Sequence, residues 1–344
     1  MKRGSLVVKF ALMAVLLNVG YVNSQVIFQD DFNSQSDWTI TQPTSSANSC
    51  YSNCNVISGW NGYYNGFSYC SGGPGNNNFY VDSRNARGGL GKALTFYDES
   101  CVNYFEDSDG NVGKDLGTVY NEIYIRFYIR FQQNYRWGTA ASDAPQHKLM
   151  HVQYHTGSGT PWSYFGNDAN KPLAVPGLKY YQGNVWYYVN YRCEEDYYCQ
   201  GSPKYSFDVT GDHDHINLGP WTTVLGDNQW HLMEFYFKMN TNTGSVFNAD
   251  GIHRFWLDGN LKFEATNIPW SDNGSTQSPR RGWNYVSWGG NNNNRWTSSC
   301  SGTSCEQWYA VDDVVVSTAY VGPNTPVTPS LPAPNSLQVS PGQN

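Results

Sequence analysis

Along residues 120–131, YNEIYIRFYIRF, apolar and polar positions alternate almost without fault. Ile123, Ile125, Phe127, Ile129 and Phe131 hold one parity, and Glu122, Tyr124, Arg126, Tyr128 and Arg130 hold the other. A strand sends successive side chains to opposite faces. The pattern therefore predicts a strand with one hydrocarbon face and one face of carboxylate, phenols and guanidiniums. Comparable period-two runs predict strands near 26–32, 92–98, 147–155, 185–192, 230–239, 252–258 and 307–317. Loops rich in Gly and Asn, such as SGGPGNNN and WGGNNNN, separate them. Helical periodicity is nearly absent beyond the first two dozen residues. Many strands with one apolar and one polar parity predict an all-β fold, two antiparallel sheets packed face to face. The polar face of one sheet would then lie open as a flat or concave surface.

The two ends depart from this pattern. Lys2, Arg3 and Lys9 flank an apolar run, FALMAVLLNVG, that ends at the small-residue site VNS. Residues 1–24 thus read as a signal peptide cleaved after Ser24, which predicts an exported protein, extracellular or periplasmic. The run is too short for a membrane span, and no later segment reaches the needed length. From Gly322 to Asn344 the chain is rich in Pro, Ser and Thr and reads as a linker, or the start of a further module. One β domain, residues 25–321, lies between.

Composition narrows the partners. The chain has 26 Tyr, 13 Trp and 34 Gly in 344 residues, only 14% charged residues, and a net charge of -7. An acidic balance disfavours nucleic acid, which needs a basic field; an anionic sugar requires only a locally cationic groove. Eight cysteines in an exported chain predict disulfides. Cys193 with Cys199 and Cys300 with Cys305 read as local staples, while Cys50, Cys54, Cys70 and Cys101 pair among themselves in an order that spacing does not fix. A loop at 207–219, FDVTGDHDHINLG, reads as turn chemistry. Asn273-Gly274-Ser275 is a formal glycosylation sequon.

FQDDFN at 28–33 and WYAVDDVVVS at 308–317 resemble the first and last strands of concanavalin A-like jelly rolls, the superfamily of laminarinases, legume lectins and several polysaccharide lyases. NQWHLMEFYFKMNT followed by DGIHRFWLDGNLKFEATNI resembles the paired middle strands of jelly-roll polysaccharide lyases. In laminarinase-like members a last-strand Asp and a backbone carbonyl near a DEF motif hold a structural calcium. The resemblance so implies calcium at Asp312 and Asp31, and oxygen-only ligation suits that hard cation. Alginate and glucuronan lyases carry an R-[ST]-E-[LV]-R strand, a Q-[IV]-H strand and a catalytic Tyr. NEIYIR here supplies Glu122, Tyr124 and Arg126, and HVQYH supplies His151, Gln153 and His155. Two departures stand out: Tyr120 replaces the leading Arg, and Tyr154 separates Gln153 from His155.

These residue types suit β-elimination on a uronic-acid polysaccharide. Removing the proton beside a carboxylate requires that carboxylate to be neutralised, a task for Arg126 and Gln153. His155 or His151 is the candidate base, and Tyr124, Tyr128 or Tyr188 the candidate acid. Arg130, Tyr188, Asn190, Arg192, Glu234, Tyr236 and Lys238, with Glu122, would line the same groove if their strands were neighbours in one sheet. The alternatives are a laminarinase-like glycoside hydrolase, which needs two carboxylates at a set separation, and a non-catalytic sugar-binding module. The hydrolase's E-x-D-x-x-E strand is missing from the sequence.

Overall fold

A computed structural model describes residues 26–39, 48–52, 54–65, 79–99, 108–138, 145–157, 160–162, 172–192, 215–243, 246–271, 282–292 and 306–323. The cysteines other than Cys50 and Cys54, the first 25 residues, the sequon and most of the 207–219 loop lie outside them. Among the described residues no helix is long and apolar enough to cross a membrane.

Among the described residues two nine-stranded antiparallel sheets make up the fold, beside a small ribbon of Asn242–Thr243 and Val246–Phe247. In the first, the strands run in the spatial order Asn260–Ile268, Gly251–Leu257, His231–Lys238, Glu122–Phe131, Glu306–Ser317, Ala93–Glu99, Phe79–Asp82 and Trp38–Thr39. Val26–Asp30 pairs with Glu306–Ser317, so the first and last strands of the fold lie side by side. In the second sheet the order is His215–Pro220, Asn184–Arg192, Leu173–Tyr181, Met150–Gln153, Trp283–Asn292, Ser108–Tyr120, Gly62–Asn65 and Asn48–Tyr51, with Gln146–Lys148 against Leu173–Tyr181 and Trp283–Asn292. All eight strands expected from periodicity exist within a few residues of their predicted bounds, but two of those segments divide. Residues 147–155 split around Leu149 into Gln146–Lys148 and Met150–Gln153. Residues 120–131 split at Asn121, where the chain leaves the second sheet and enters the first.

The apolar parities meet between the sheets. Ile123, Ile125, Phe127, Ile129 and Phe131 are fully buried there, together with Phe235 and Phe237 from the first sheet and Met150, Val152, Tyr187 and Trp288 from the second. Ring packing dominates: Phe127 stacks on Phe235 at 5.7 Å, and Tyr187 on Phe255 at 4.2 Å. Such pairs add about 0.5–1.5 kcal/mol each beyond the area they bury.

One polar pair bridges the sheets inside this core. Fully buried His253 receives the Tyr187 hydroxyl at Nε2 (2.7 Å) and points Nδ1 at the Tyr236 carbonyl (3.3 Å). The carbonyl can only accept, so Nδ1 carries the proton and Nε2 is the acceptor. Burial holds this imidazole down to about 3. In the unfolded chain a histidine takes up its proton near 6.5. The sign follows: stability is complete above pH 6.5 and falls as pH drops from there toward 3, by about 1.4 kcal/mol per unit from this group. Urea denaturation of wild type and His253→Gln between pH 7 and 4 should show a shallower pH slope in the variant; equal slopes would contradict this account.

Candidate active site

The two-sheet architecture separates residues that the sequence reading gathered in one groove. Glu122, Tyr124, Arg126, Tyr128 and Arg130 share the outward face of the first sheet with Glu234, Tyr236 and Lys238, because Glu234 pairs with Arg126, Tyr236 with Tyr124 and Lys238 with Glu122. His151, Gln153, Tyr188 and Asn190 face outward from the second sheet. Arg192 lies in that second sheet, paired with Leu173. The single convergent groove is therefore corrected to two faces, back to back across the core.

The first face is occupied by the chain itself. After Ser317, residues Ala319–Gly322 fold over it as a strap. Both Glu234 oxygens accept from the strap, Oε1 from the Val321 amide at 2.9 Å and Oε2 from the Gly322 amide at 3.1 Å. Arg126 Nη1 donates to the Gly322 carbonyl at 3.0 Å. Glu234 and Arg126 are each 1% exposed. Burial raises the Glu234 carboxyl, against its strap amides and Arg126, and lowers the Arg126 guanidinium. Tyr236 donates to Glu122 Oε2 at 2.7 Å and stacks on Tyr124, while Tyr320 of the strap meets Tyr124 edge-on. Arg130 lies between the Trp230 and Trp308 rings, and Arg87 over Tyr128. These contacts explain the unusual polar row as a seat for the strap and for stacked cations.

This face does not suit a hydrolase. Register separates Glu122 from Glu234 by four strand positions, roughly 13 Å at the usual rise. The carboxyl pair of a glycosidase stands about 5–9.5 Å apart, and both Glu234 oxygens already hold amides.

The second face gathers a different set. Gln153 pairs with Tyr285, and His151 with Ser287. Across the next strand Tyr285 opposes Asp115 and Ser287 opposes Gly113. Glycines make room for the phenols: a Cβ on Gly113 would stand 1.8 Å from the Tyr285 hydroxyl, and one on Gly177 would stand 2.5 Å from the Tyr188 ring. Lys179 Nζ lies 5.2 Å from the centre of the Tyr188 ring. His155, just past the strand end, meets Tyr51 at 4.8 Å and Tyr285 at 5.8 Å between ring centres. Gln153 donates through Nε2 to the Pro161 carbonyl at 2.9 Å, and Trp162 covers Tyr285 edge-on.

Gln153, His151, His155, Tyr188 and Tyr285 are all buried. Burial, reinforced by Lys148, keeps His151 well below the usual histidine range, so it is neutral at pH 7. Burial likewise lifts the Tyr188 phenol above its ordinary value. Tyr285 and Asn284 were not singled out from the sequence. The WNYVSWGG stretch (283–290) that carries them mixes large apolar residues on both parities, so no clean alternation marked it as a strand.

In the middle of the last strand, a central strand of the first sheet, Asp312 and Asp313 sit on a bulge, with Asp313 at φ 49°. Asp312 accepts from the Arg87 and Asp313 amides, and Asp313 pairs with the Arg87 guanidinium. Burial pushes the Asp312 carboxyl up to about 7, and Asp31 and Asp30 push it the same way. Crowded oxygen-bearing acids fit a hard cation by charge. Among the described residues no three His, Cys, Asp or Glu side chains gather as a metal set, so a cation there would draw its further ligands from backbone carbonyls.

Neither a scan of protein-family models nor a search of curated proteins gives a match. Among solved structures the chain is similar to an endo-β-1,4-glucuronan lyase from the fungus Trichoderma reesei, at 15% identity over 81% of this chain and 97% of that one, with a TM-score of 0.46. It is similar to the alginate lyase Aly36B at 14% identity over 70% and 82%, TM-score 0.44. It is also similar to the laminarinase catalytic domain of Thermotoga maritima at 10% identity over 86% and 99%, TM-score 0.40. At TM-scores below 0.5 no residue role passes from these proteins to this chain. Its own topology is a two-sheet antiparallel β-sandwich with the first and last strands paired, consistent with a jelly roll.

Proposed function

We propose that the chain is a carbohydrate-active enzyme, a polysaccharide lyase that cleaves a uronate-containing polymer by β-elimination at the outward face of the second sheet. What supports this reading is the gathering of Gln153, His155 and Tyr285: an amide donor, an imidazole and a phenol on one buried patch. The Pro161 carbonyl that now accepts from Gln153 marks where a substrate carboxylate oxygen would lie. Arg126, bound to the strap on the other face, leaves this scheme, and so do Tyr124 and Tyr128.

In the proposed reaction Gln153 hydrogen-bonds the uronate carboxylate and stabilises the charge that builds on it. His155 removes the C5 proton, and Tyr285 gives its phenolic proton to O4. The C5–H and C4–O4 bonds break and a C4–C5 double bond forms. The proton on His155 returns to the Tyr285 phenolate through solvent. Neutral His151, Tyr188 and Asn190 continue the same face and would hold neighbouring sugar units, with Lys179 attracting their carboxylates. The Thr160–Trp162 segment has to lift for the polymer to reach Tyr285.

We further propose that calcium, held by Asp312 and Asp31 with backbone carbonyls, neutralises the acids where the first and last strands meet. Millimolar calcium should then raise the melting temperature of wild type but not of Asp312→Asn, and an unchanged wild-type temperature under calcium or chelator would contradict it.

The reaction is tested on a panel of alginate, glucuronan, pectate, glycosaminoglycans and neutral β-glucans. The expected product absorbs in the ultraviolet as an unsaturated uronate, and Gln153→Ala and His155→Ala each slow its formation by about 10²-fold or more. New reducing ends without that absorbance would identify a hydrolase, and retention on the polymer with no product would identify a binding module.

A further inference from the structure

His155 stands beyond the end of its strand, where the backbone ladder no longer fixes it. Met150–Gln153 is the last paired stretch, and the Tyr154 amide goes to the Pro172 carbonyl. Two side chains take over. Asn284 clamps the backbone, receiving the His155 amide on Oδ1 at 2.7 Å and donating Nδ2 to the His155 carbonyl at 2.8 Å. The Tyr51 ring meets the imidazole edge-on, at an interplanar angle of 89°.

Tyr51 is itself unusually well held for an edge-strand residue. It ends the four-residue strand Asn48–Tyr51, which among the described residues has a partner strand on one side only. A Cys50–Cys54 disulfide brackets it. Ser52 turns the chain at φ 55° and donates its amide to the Asn61 carbonyl. The phenol donates to Asp115 Oδ2 at 2.8 Å, while Asp115 Oδ1 takes the Gly117 amide and the Asp115 amide goes to Asn61 Oδ1. With its proton committed to Asp115, the Tyr51 hydroxyl has nothing to offer a leaving group. What remains directed at the site is its ring.

We infer that Tyr51 is a positioning residue for His155, and that the Cys50–Cys54 disulfide and Asp115 form the tether that aims its ring at the imidazole. Asn284 is the second positioning residue, acting on the His155 backbone. The inference rests on the reading of His155 as the base, but the geometry it asserts can be read without turnover. In such sites small displacements cost rate more than affinity.

The experiment uses the full chain with isotope-labelled histidine, following imidazole signals by NMR in wild type, Tyr51→Phe, Tyr51→Leu and Cys50→Ser/Cys54→Ser. The His155 ring signals, identified by their loss in His155→Gln, should move in Tyr51→Leu and broaden or move in the disulfide variant, while those of His253 in the core stay fixed. Tyr51→Phe keeps the ring and loses the Asp115 bond, so it should fall between wild type and Tyr51→Leu. In the lyase assay the disulfide variant and Tyr51→Leu should lose about tenfold in kcat with KM nearly unchanged, and their kcat pH profile should shift. Unchanged His155 signals in both Tyr51→Leu and the disulfide variant would overturn the inference even in an active lyase. An inactive wild type whose His155 signals respond as expected would sink the lyase reading and leave the tether standing.

Discussion

Most of the described strands have one apolar face to bury, and a two-sheet sandwich has one interior to bury it in. That constraint assigns the apolar parities of both sheets to a shared aromatic core. It also sends the polar parities outward in opposite directions, so the molecule has two polar faces. Residues on the two opposite outward faces cannot act on one sugar unit, however alike their chemistry. The choice of face therefore precedes any choice of catalytic residue.

The two faces have been put to different uses. On the first, a buried glutamate and a buried arginine would each be costly alone. The strap resolves this by presenting two amides to Glu234 and a carbonyl to Arg126, so backbone groups satisfy the charges. On the second, an amide, two imidazoles and two phenols are buried, with Lys179 beside one of the phenols. Low-dielectric surroundings raise the value of each hydrogen bond made there. A chemistry of proton removal and return suits that second inventory better than a face whose central charges are held by the strap.

The sequence made the strands legible where alternation was clean, as in EIYIRFYIRF, where every Ile and Phe of the apolar parity is fully buried. It gave no sign that the chain changes sheets at Asn121, because both flanking strands share an extended backbone and one intervening residue leaves the alternation nearly unbroken. The convergence of Arg126 with Gln153 failed for that reason. Strand Trp283–Asn292 stayed hidden because its two glycines and its tryptophans obscure the period, and Tyr285 and Asn284 stayed hidden with it. The strap lies at the predicted boundary, with Ala319–Val321 in the domain and Gly322 opening the linker, and nothing in AYVG announces that its amides meet a buried carboxylate 87 and 88 residues earlier in the chain. Gln153, His151 and His155, by contrast, stand in the HVQYH stretch to which the lyase resemblance pointed, and the second sheet carries them on one face with Tyr188.

The central claim is that substrate meets the second sheet and not the polar row of residues 122–130. Hydrogen exchange read by mass spectrometry, with and without a uronate oligosaccharide that His155→Gln binds but does not cleave, addresses it directly. The account predicts added protection in peptides covering 150–157 and 283–290, and none in peptides covering 122–131 and 231–238. Protection confined to the 122–131 and 231–238 strands would contradict it.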